Sequence, residues 1–297
     1  MEVARPQIKG SVLAALVAVQ VLFGINYIVS KVIVGVYPPL VWASVRIAFA
    51  AVAMVVIAFA ARRPQPPVLN WKFFGPMIVF SLFGIILNQG AFLLGLKYTT
   101  ATNSAILNTL IPIFTLLIVT LRKQEPMTRR RFAGFISALA GVLVIRKIER
   151  FSLGDHTLIG DLLTIFNCLC YAIFLSISKP FLEQYDRVWT TAWMFILGAV
   201  GMGLVSIPSW RGFIWPEMTP QLWGCVVFGV IGATLMTYFL NLWALAQVKS
   251  SQVAIFIYIQ PVVAAAIAWA WFGEAPTLRT CLAAGLIFCG VLLGLGG

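Results

Sequence analysis

"ILNTLIPIFT", residues Ile106 to Thr115, lies in an apolar run from Ala105 to Leu121, yet carries Asn108, Thr109 and Pro112 near its middle. Moved forward by the 149 residues that separate Pro112 from Pro261, it falls on "IFIYIQPVVA", Ile255 to Ala264. The same shift lays Glu125 on Glu274, Thr128 on Thr277, Arg130 on Arg279, Gly141 on Gly290 and Gly75 on Gly224. A shift one residue shorter lays Ser30 and Lys31 on Ser178 and Lys179. Self-similarity on this scale reads as a duplicated unit.

Composition identifies the solvent. Of the 297 residues, 61% are hydrophobic and 10% charged, and the mean hydropathy is +0.97. A soluble domain has roughly 45–50% apolar and 25% charged residues. Crossing a hydrocarbon core takes about 20 apolar residues, and ten runs approach that length: Ser11 to Val34, Leu40 to Ala61, Phe73 to Leu96, Ala101 to Leu121, Phe132 to Ile145, Leu158 to Lys179, Val188 to Ile207, Leu222 to Leu245, Val253 to Phe272 and Leu278 to Leu295. The fifth is the shortest. No stretch alternates as a membrane barrel strand would. The expectation is an all-α integral membrane protein with five helices in residues 1–148 and five in 149–297. Five is odd, so the second copy enters from the opposite side and the repeats are inverted.

The formal net charge of +12 points to lipid topology rather than nucleic acid. Arg5 and Lys9, then Arg62, Arg63 and Lys72, then Arg122, Lys123, Arg129, Arg130 and Arg131 all fall on one side if the amino terminus is inside, as the positive-inside rule asks. Lys179, Arg187 and Lys249 continue the alternation, and Arg146, Lys147 and Arg150 run against it. The reading is a multi-pass protein of the cytoplasmic membrane with both termini cytoplasmic. The first run, too long for a signal-peptide core, is read as a retained helix.

Enzyme chemistry finds little support. Cys168, Cys170, Cys225, Cys281 and Cys289 sit in apolar runs without metal spacing and read as buried packing residues. The only histidine, His156, lies beside Asp155 in a polar loop. No triad, zinc site or phosphate loop can be assembled, so no enzyme, metal or cofactor is expected. None of the nine acidic residues falls near mid-membrane. Arg46 is expected to snorkel to the outer surface, with substrate binding as the other reading, and Lys31 and Lys179 to compensate the dipoles of their own helices. Glycine pairs such as Gly134-x-x-x-Ala138, Ser137-x-x-x-Gly141 and Gly290-x-x-x-Gly294 let helices approach closely in lipid.

The two prolines show where polar function belongs. Proline lacks an N–H, so Pro112 frees the carbonyl of Asn108 and Pro261 that of Ile257. Irregular backbone at membrane depth is tolerated where it is buried or lines a wet cavity. Helical spacing then aligns Gln89 with Phe92, their equivalents Tyr238 with Asn241, Gln20 with Phe23, Tyr27 and Ser30, and Asn167 with Tyr171, Phe174 and Ser178. Tyr258 and Gln260 complete the ninth helix. The candidate substrate-binding set is Phe23, Tyr27, Gln89, Phe92, Asn108, Asn167, Tyr171, Tyr238, Asn241, Tyr258 and Gln260.

With its duplicated unit and its paired ends, Pro112 to Glu125 and Pro261 to Glu274, the chain resembles the EamA-type, ten-helix members of the drug/metabolite transporter superfamily over nearly all of Ser11 to Leu295. The resemblance implies a basket-like bundle around a central cavity lined by the first, third, fourth, sixth, eighth and ninth helices, with the fifth and tenth at the periphery. It implies alternating access for small organic solutes. Aromatic residues among amides suit an exporter of aromatic or hydrophobic amino acids. A phosphorylated solute would call for a cluster of Lys and Arg, which the expected cavity faces lack. The other reading is a non-transporting membrane interaction protein with a packed centre. The expected partners are a small-molecule substrate and the lipid bilayer, not nucleic acid.

Overall fold

A chain segment in lipid has only its own backbone for hydrogen bonds, so each apolar run becomes helix. The computed structural model describes residues 9–64, 70–145, 157–272 and 278–295, and among these there is no strand. The helices are α1 (Gly10–Val36), α2 (Pro39–Ala60), α3 (Trp71–Tyr98), α4 in two pieces (Ala101–Leu107 and Leu110–Leu121), α5 (Arg129–Ile145), α6 (Thr157–Gln184), α7 (Arg187–Trp210), α8 (Pro220–Leu245), α9 (Ser250–Ile255, a 3-10 turn at Phe256–Ile259, then Gln260–Phe272) and α10 (Leu278–Leu295). Eight of them, all but α5 and α10, are long and apolar enough to cross a membrane. The boundary between the expected repeats, the loop holding His156, and Glu274 lie outside the described residues.

Helix starts follow local chemistry. Asp186 accepts from the N–H groups of Val188 and Trp189 at 3.0 and 3.1 Å and opens α7, Asn70 accepts from Lys72 N–H and opens α3, and prolines stand at the first turns of α2 and α8. Large apolar side chains such as Phe49, Val52 and Phe59 on α2 and Val200 and Leu204 on α7 face outward, as a lipid-facing surface requires. Amides and hydroxyls face inward instead: Gln20, Asn88, Asn108, Asn167, Asn241 and Gln260 are all buried.

Packing repeats itself with the halves exchanged. Helix α1 packs on α8 and α9, while α6 packs on α3 and α4; α2 pairs with α7, and α5 with α10. The Gln89 side chain donates to the Tyr238 hydroxyl, and the Ser137 hydroxyl to the carbonyl of Leu286, and in both bonds the partners stand 149 residues apart. On the α5 face turned to α10, Gly134 and Gly141 are buried, as the small-residue spacing predicts. The backbones of α3 and α6 meet at two glycines, where a Cβ on Gly160 would stand 2.8 Å from the carbonyl oxygen of Gly95 and one on Gly95 2.9 Å from that of Gly160.

Four expectations need correction. The carbonyls freed by the prolines do not open toward the cavity: that of Asn108 takes the N–H of Ile111, and that of Ile257 takes the N–H of Gln260. Both copies thus satisfy the freed acceptor with one tightened turn. Lys31 and Lys179 reach neighbouring helices instead of sitting in the last turns of their own, Lys179 also pairing with Glu183 one turn on. The Lys31 ammonium donates to the carbonyls of Leu96 and Thr99 at 2.7 and 2.6 Å, at the carboxyl end of α3, and that of Lys179 to the carbonyl of Val248 at 2.9 Å, past the end of α8. Arg46 does not snorkel; it is 1% exposed and turned inward to Gln89, because its α2 position faces the protein rather than lipid. Cys281 and Cys289 are exposed on α10, a helix with much of its surface turned outward, whereas Cys168 and Cys170 are buried as expected.

One feature has no precedent in the sequence reading. Helix α3 contains a π-helical turn at Leu82–Ile86, and α8 one at Phe228–Met236, at corresponding places in the two halves. Such turns rephase the side chains beyond them and recur at functional sites. Here the residues beyond them are Asn88 and Gln89 in α3, and Tyr238 in α8.

Candidate functional site

Between the two halves lies a cavity that offers about 50 Å³ to the centres of water-sized molecules, against the roughly 10–15 Å³ that one water needs. Phe23, Asn26 and Tyr27 face it from α1, Asn88, Gln89 and Phe92 from α3, Asn108 and Ile111 from α4, Asn167 and Tyr171 from α6, Ala233 and Tyr238 from α8, and Ile257 and Gln260 from α9. These are the six helices expected to line it, and nine of the eleven candidate residues are on its wall.

The proline turns explain the α4 and α9 contributions. Each tightened turn presents a polar side chain at one end, Asn108 in α4 and Gln260 in α9, and an isoleucine at the other, Ile111 and Ile257. Gln260 is held at both ends of its amide: its Oε1 accepts from the Tyr27 hydroxyl at 2.7 Å, and its Nε2 donates to Gln20 Oε1 at 2.6 Å. Across the cavity Asn167 Nδ2 donates to Asn108 Oδ1 at 2.9 Å, while Asn88 Nδ2 donates to Asn167 Oδ1 at 2.5 Å. Tyr27 meets Phe92 edge to face, with ring centroids 5.6 Å apart. The wall is therefore a belt of paired amides and phenols interrupted by aromatic faces, a surface suited to an amphipathic solute.

A second network reaches the cavity from behind. Arg46 Nη2 donates to Gln89 Oε1, which obliges Gln89 Nε2 to face Asn88 Oδ1 at 2.9 Å and the Tyr238 hydroxyl at 2.8 Å. The Tyr238 hydroxyl in turn donates to the carbonyl of Gly84, in the π-helical turn of α3, at 2.7 Å. The guanidinium also lies over the Trp42 ring at 5.9 Å.

Two candidates sit elsewhere. Asn241 stands behind the wall and donates to the Tyr171 hydroxyl at 2.9 Å. Tyr258 borders a separate small void with Pro112, Arg131 and Ser251, because the 3-10 turn rotates it away from Gln260. Asn26 and Asn88 line the cavity although helical spacing did not select them. A buried amide beside a selected position was the available signal, and the π-helical turn hid it for Asn88.

The EamA-like transporter family matches residues 9–147 and 158–295. The chain is 25% identical over 287 residues to the uncharacterized transporter YoaV of Bacillus subtilis (strain 168), covering 95% of this chain and 96% of that one. It is 30% identical over 218 residues to an uncharacterized transporter of Archaeoglobus fulgidus, covering 72% and 74%. The WAT1-related protein At3g18200 of Arabidopsis thaliana is 24% identical, covering 97% of this chain and 82% of that one. A crystal structure at 17% identity superposes with a TM-score of 0.78 over 97% of this chain and 98% of the other, a likeness of fold.

Proposed function

Since the chain belongs to the EamA-like transporter family, we propose that it is a secondary transporter that exports small organic solutes, aromatic or hydrophobic amino acids foremost, by alternating access. The observation that carries this reading is the cavity between the halves, walled by amides, phenols and aromatic rings from six helices. The chain crosses the cytoplasmic membrane ten times, in two inverted five-helix repeats over residues 1–148 and 149–297, with both termini cytoplasmic. The contacts between equivalent residues 149 apart support that symmetry, because in a two-fold arrangement only residues near the axis meet their own counterparts.

Counterflow into proteoliposomes preloaded with an amino-acid mixture tests the proposal. Radiolabelled aromatic or large aliphatic amino acids should accumulate transiently, and Phe23→Ala or Asn108→Leu should reduce that uptake more than they reduce folded protein. Absence of counterflow for every amino acid and aromatic amine, with cysteines at the cavity-wall positions Phe23 and Phe92 unreactive to water-soluble thiol reagents, would favour an interaction protein with a packed centre.

A further inference from the structure

Among the described residues, Arg46 is a cation without a counter-charge. It is 1% exposed, and its polar partner is the neutral amide oxygen of Gln89. Its Nε has no hydrogen-bond partner. The acidic residues among those described are all engaged or placed elsewhere. Glu125 pairs with Arg131, Glu183 with Lys179, and Asp186 with Arg63; Asp161 accepts from Thr99, and Glu217 is exposed in the loop before α8. A buried guanidinium left in this state is costly, and an ionisable residue inside a membrane protein that stands unpaired marks a ligand or ion pathway.

The geometry gives that ligand a shape. Nε and Nη2 point to the same side of a guanidinium and together form the fork that grips a carboxylate through two parallel bonds. In Arg46 one prong is free and the other holds the oxygen of Gln89, a side chain on the cavity wall. Gln89 Oε1 thus occupies the position of one carboxylate oxygen, without its charge. Resting on the transporter reading above, we infer that Arg46 is the anion-recognising end of the cavity and that the transported solute carries a carboxylate. Gln89 swings aside to hand the fork over as the solute enters. The amides and rings of Tyr27, Phe92, Asn108 and Gln260 then receive the rest of the molecule.

The test compares wild type with Arg46→Gln, Arg46→Lys and Arg46→Met, using four solutes of one shape: phenylpropionate, L-phenylalanine, phenylpropionamide and phenethylamine. Counterflow in proteoliposomes and ligand-induced shift in Tm of the purified protein are both read. In wild type the two carboxylates should be favoured over the amide and the amine by about tenfold or more, a difference of about 1.4 kcal/mol. Arg46→Gln should erase the preference while still moving the amide, and Arg46→Lys should restore part of it. Without ligand, Arg46→Met should hold its Tm or raise it by about 2 °C, since an unpaired buried charge is removed. Wild type that handles the amide as well as the carboxylates, or Arg46→Gln that keeps the preference, overturns the inference and leaves the transporter reading standing. A lowered Tm in Arg46→Met together with equal loss of all four solutes also overturns it, in favour of a packing role. Wild type that neither moves nor is stabilised by any of the four overturns both readings.

Discussion

Glu125, in the loop after α4, joins α5 to α9 through one carboxylate. Its Oε2 pairs with Arg131 of α5 at 3.0 Å, with side chains 7% and 3% exposed, and it accepts from both the N–H and the hydroxyl of Ser251 in the first turn of α9. The sequence placed Glu125 ahead of the fifth helix, where a carboxylate suits the positive end of the dipole; the structure adds that α9 supplies a second such end. Removing one partner strands the other as a buried charge, so Glu125→Gln should destabilise by about 3–5 kcal/mol. Replacing both, Glu125→Leu with Arg131→Met, should recover most of that loss. Thermal unfolding of the purified protein checks both outcomes; a double variant no more stable than Glu125→Gln would assign the loss to the Ser251 contacts instead.

At the scale of elements, what was legible is what leaves a mark in composition or self-similarity. The apolar runs gave the helices, and the coincidence of Pro112 with Pro261 pointed to the two turns that deliver Asn108 and Gln260 to the cavity. A one-residue π insertion leaves no such mark, because a helix that is apolar nearly all round has no stripe whose phase could visibly jump. That is why Asn88 escaped notice, and the 3-10 turn at Phe256–Ile259 misplaced Tyr258 for the same reason. The inward direction of Arg46 was equally hidden, since depth along a helix says nothing about its face. The glycines were legible as close contacts but not by partner. Gly95 and Gly160 oppose each other across α3 and α6, and a methyl on Gly160 would meet backbone atoms, the Gly95 carbonyl and the Thr99 nitrogen, both at 2.8 Å. Gly160→Ala should therefore cost about 1–3 kcal/mol. Gly203→Ala, with nothing within 4 Å of the added carbon, should leave stability unchanged or slightly raised; similar melting profiles for the two variants would show that the helices separate freely at this crossing.

For the whole molecule, the proposed inversion makes equivalent loops face opposite solutions. Pro64 lies between α2 and α3, and Ile214, which is 85% exposed, lies between the equivalent α7 and α8. In a background without native cysteines, an impermeant maleimide should label Ile214→Cys on intact cells and Pro64→Cys only after permeabilisation. Labelling of both from the same side would exclude inversion, and the reverse pattern would place the termini outside. A last consequence concerns the bond from Ser137 to the carbonyl of Leu286, between α5 and α10. Under the proposed alternating access, in which the two halves trade shapes, every asymmetric contact must be undone and remade on the opposite side. A residue that touches its own counterpart is spared, since the trade returns it to the same neighbour. The α5–α10 seam is then a fulcrum, a place away from the cavity where the moving parts stand still. A disulfide between Ser137→Cys and Leu286→Cys should leave the turnover rate within about twofold, less than 1 kcal/mol on the barrier. A disulfide between Gln20→Cys in α1 and Gln260→Cys in α9, across a contact that has to open, should stop turnover until it is reduced. If the seam tether also stops turnover, the seam itself moves.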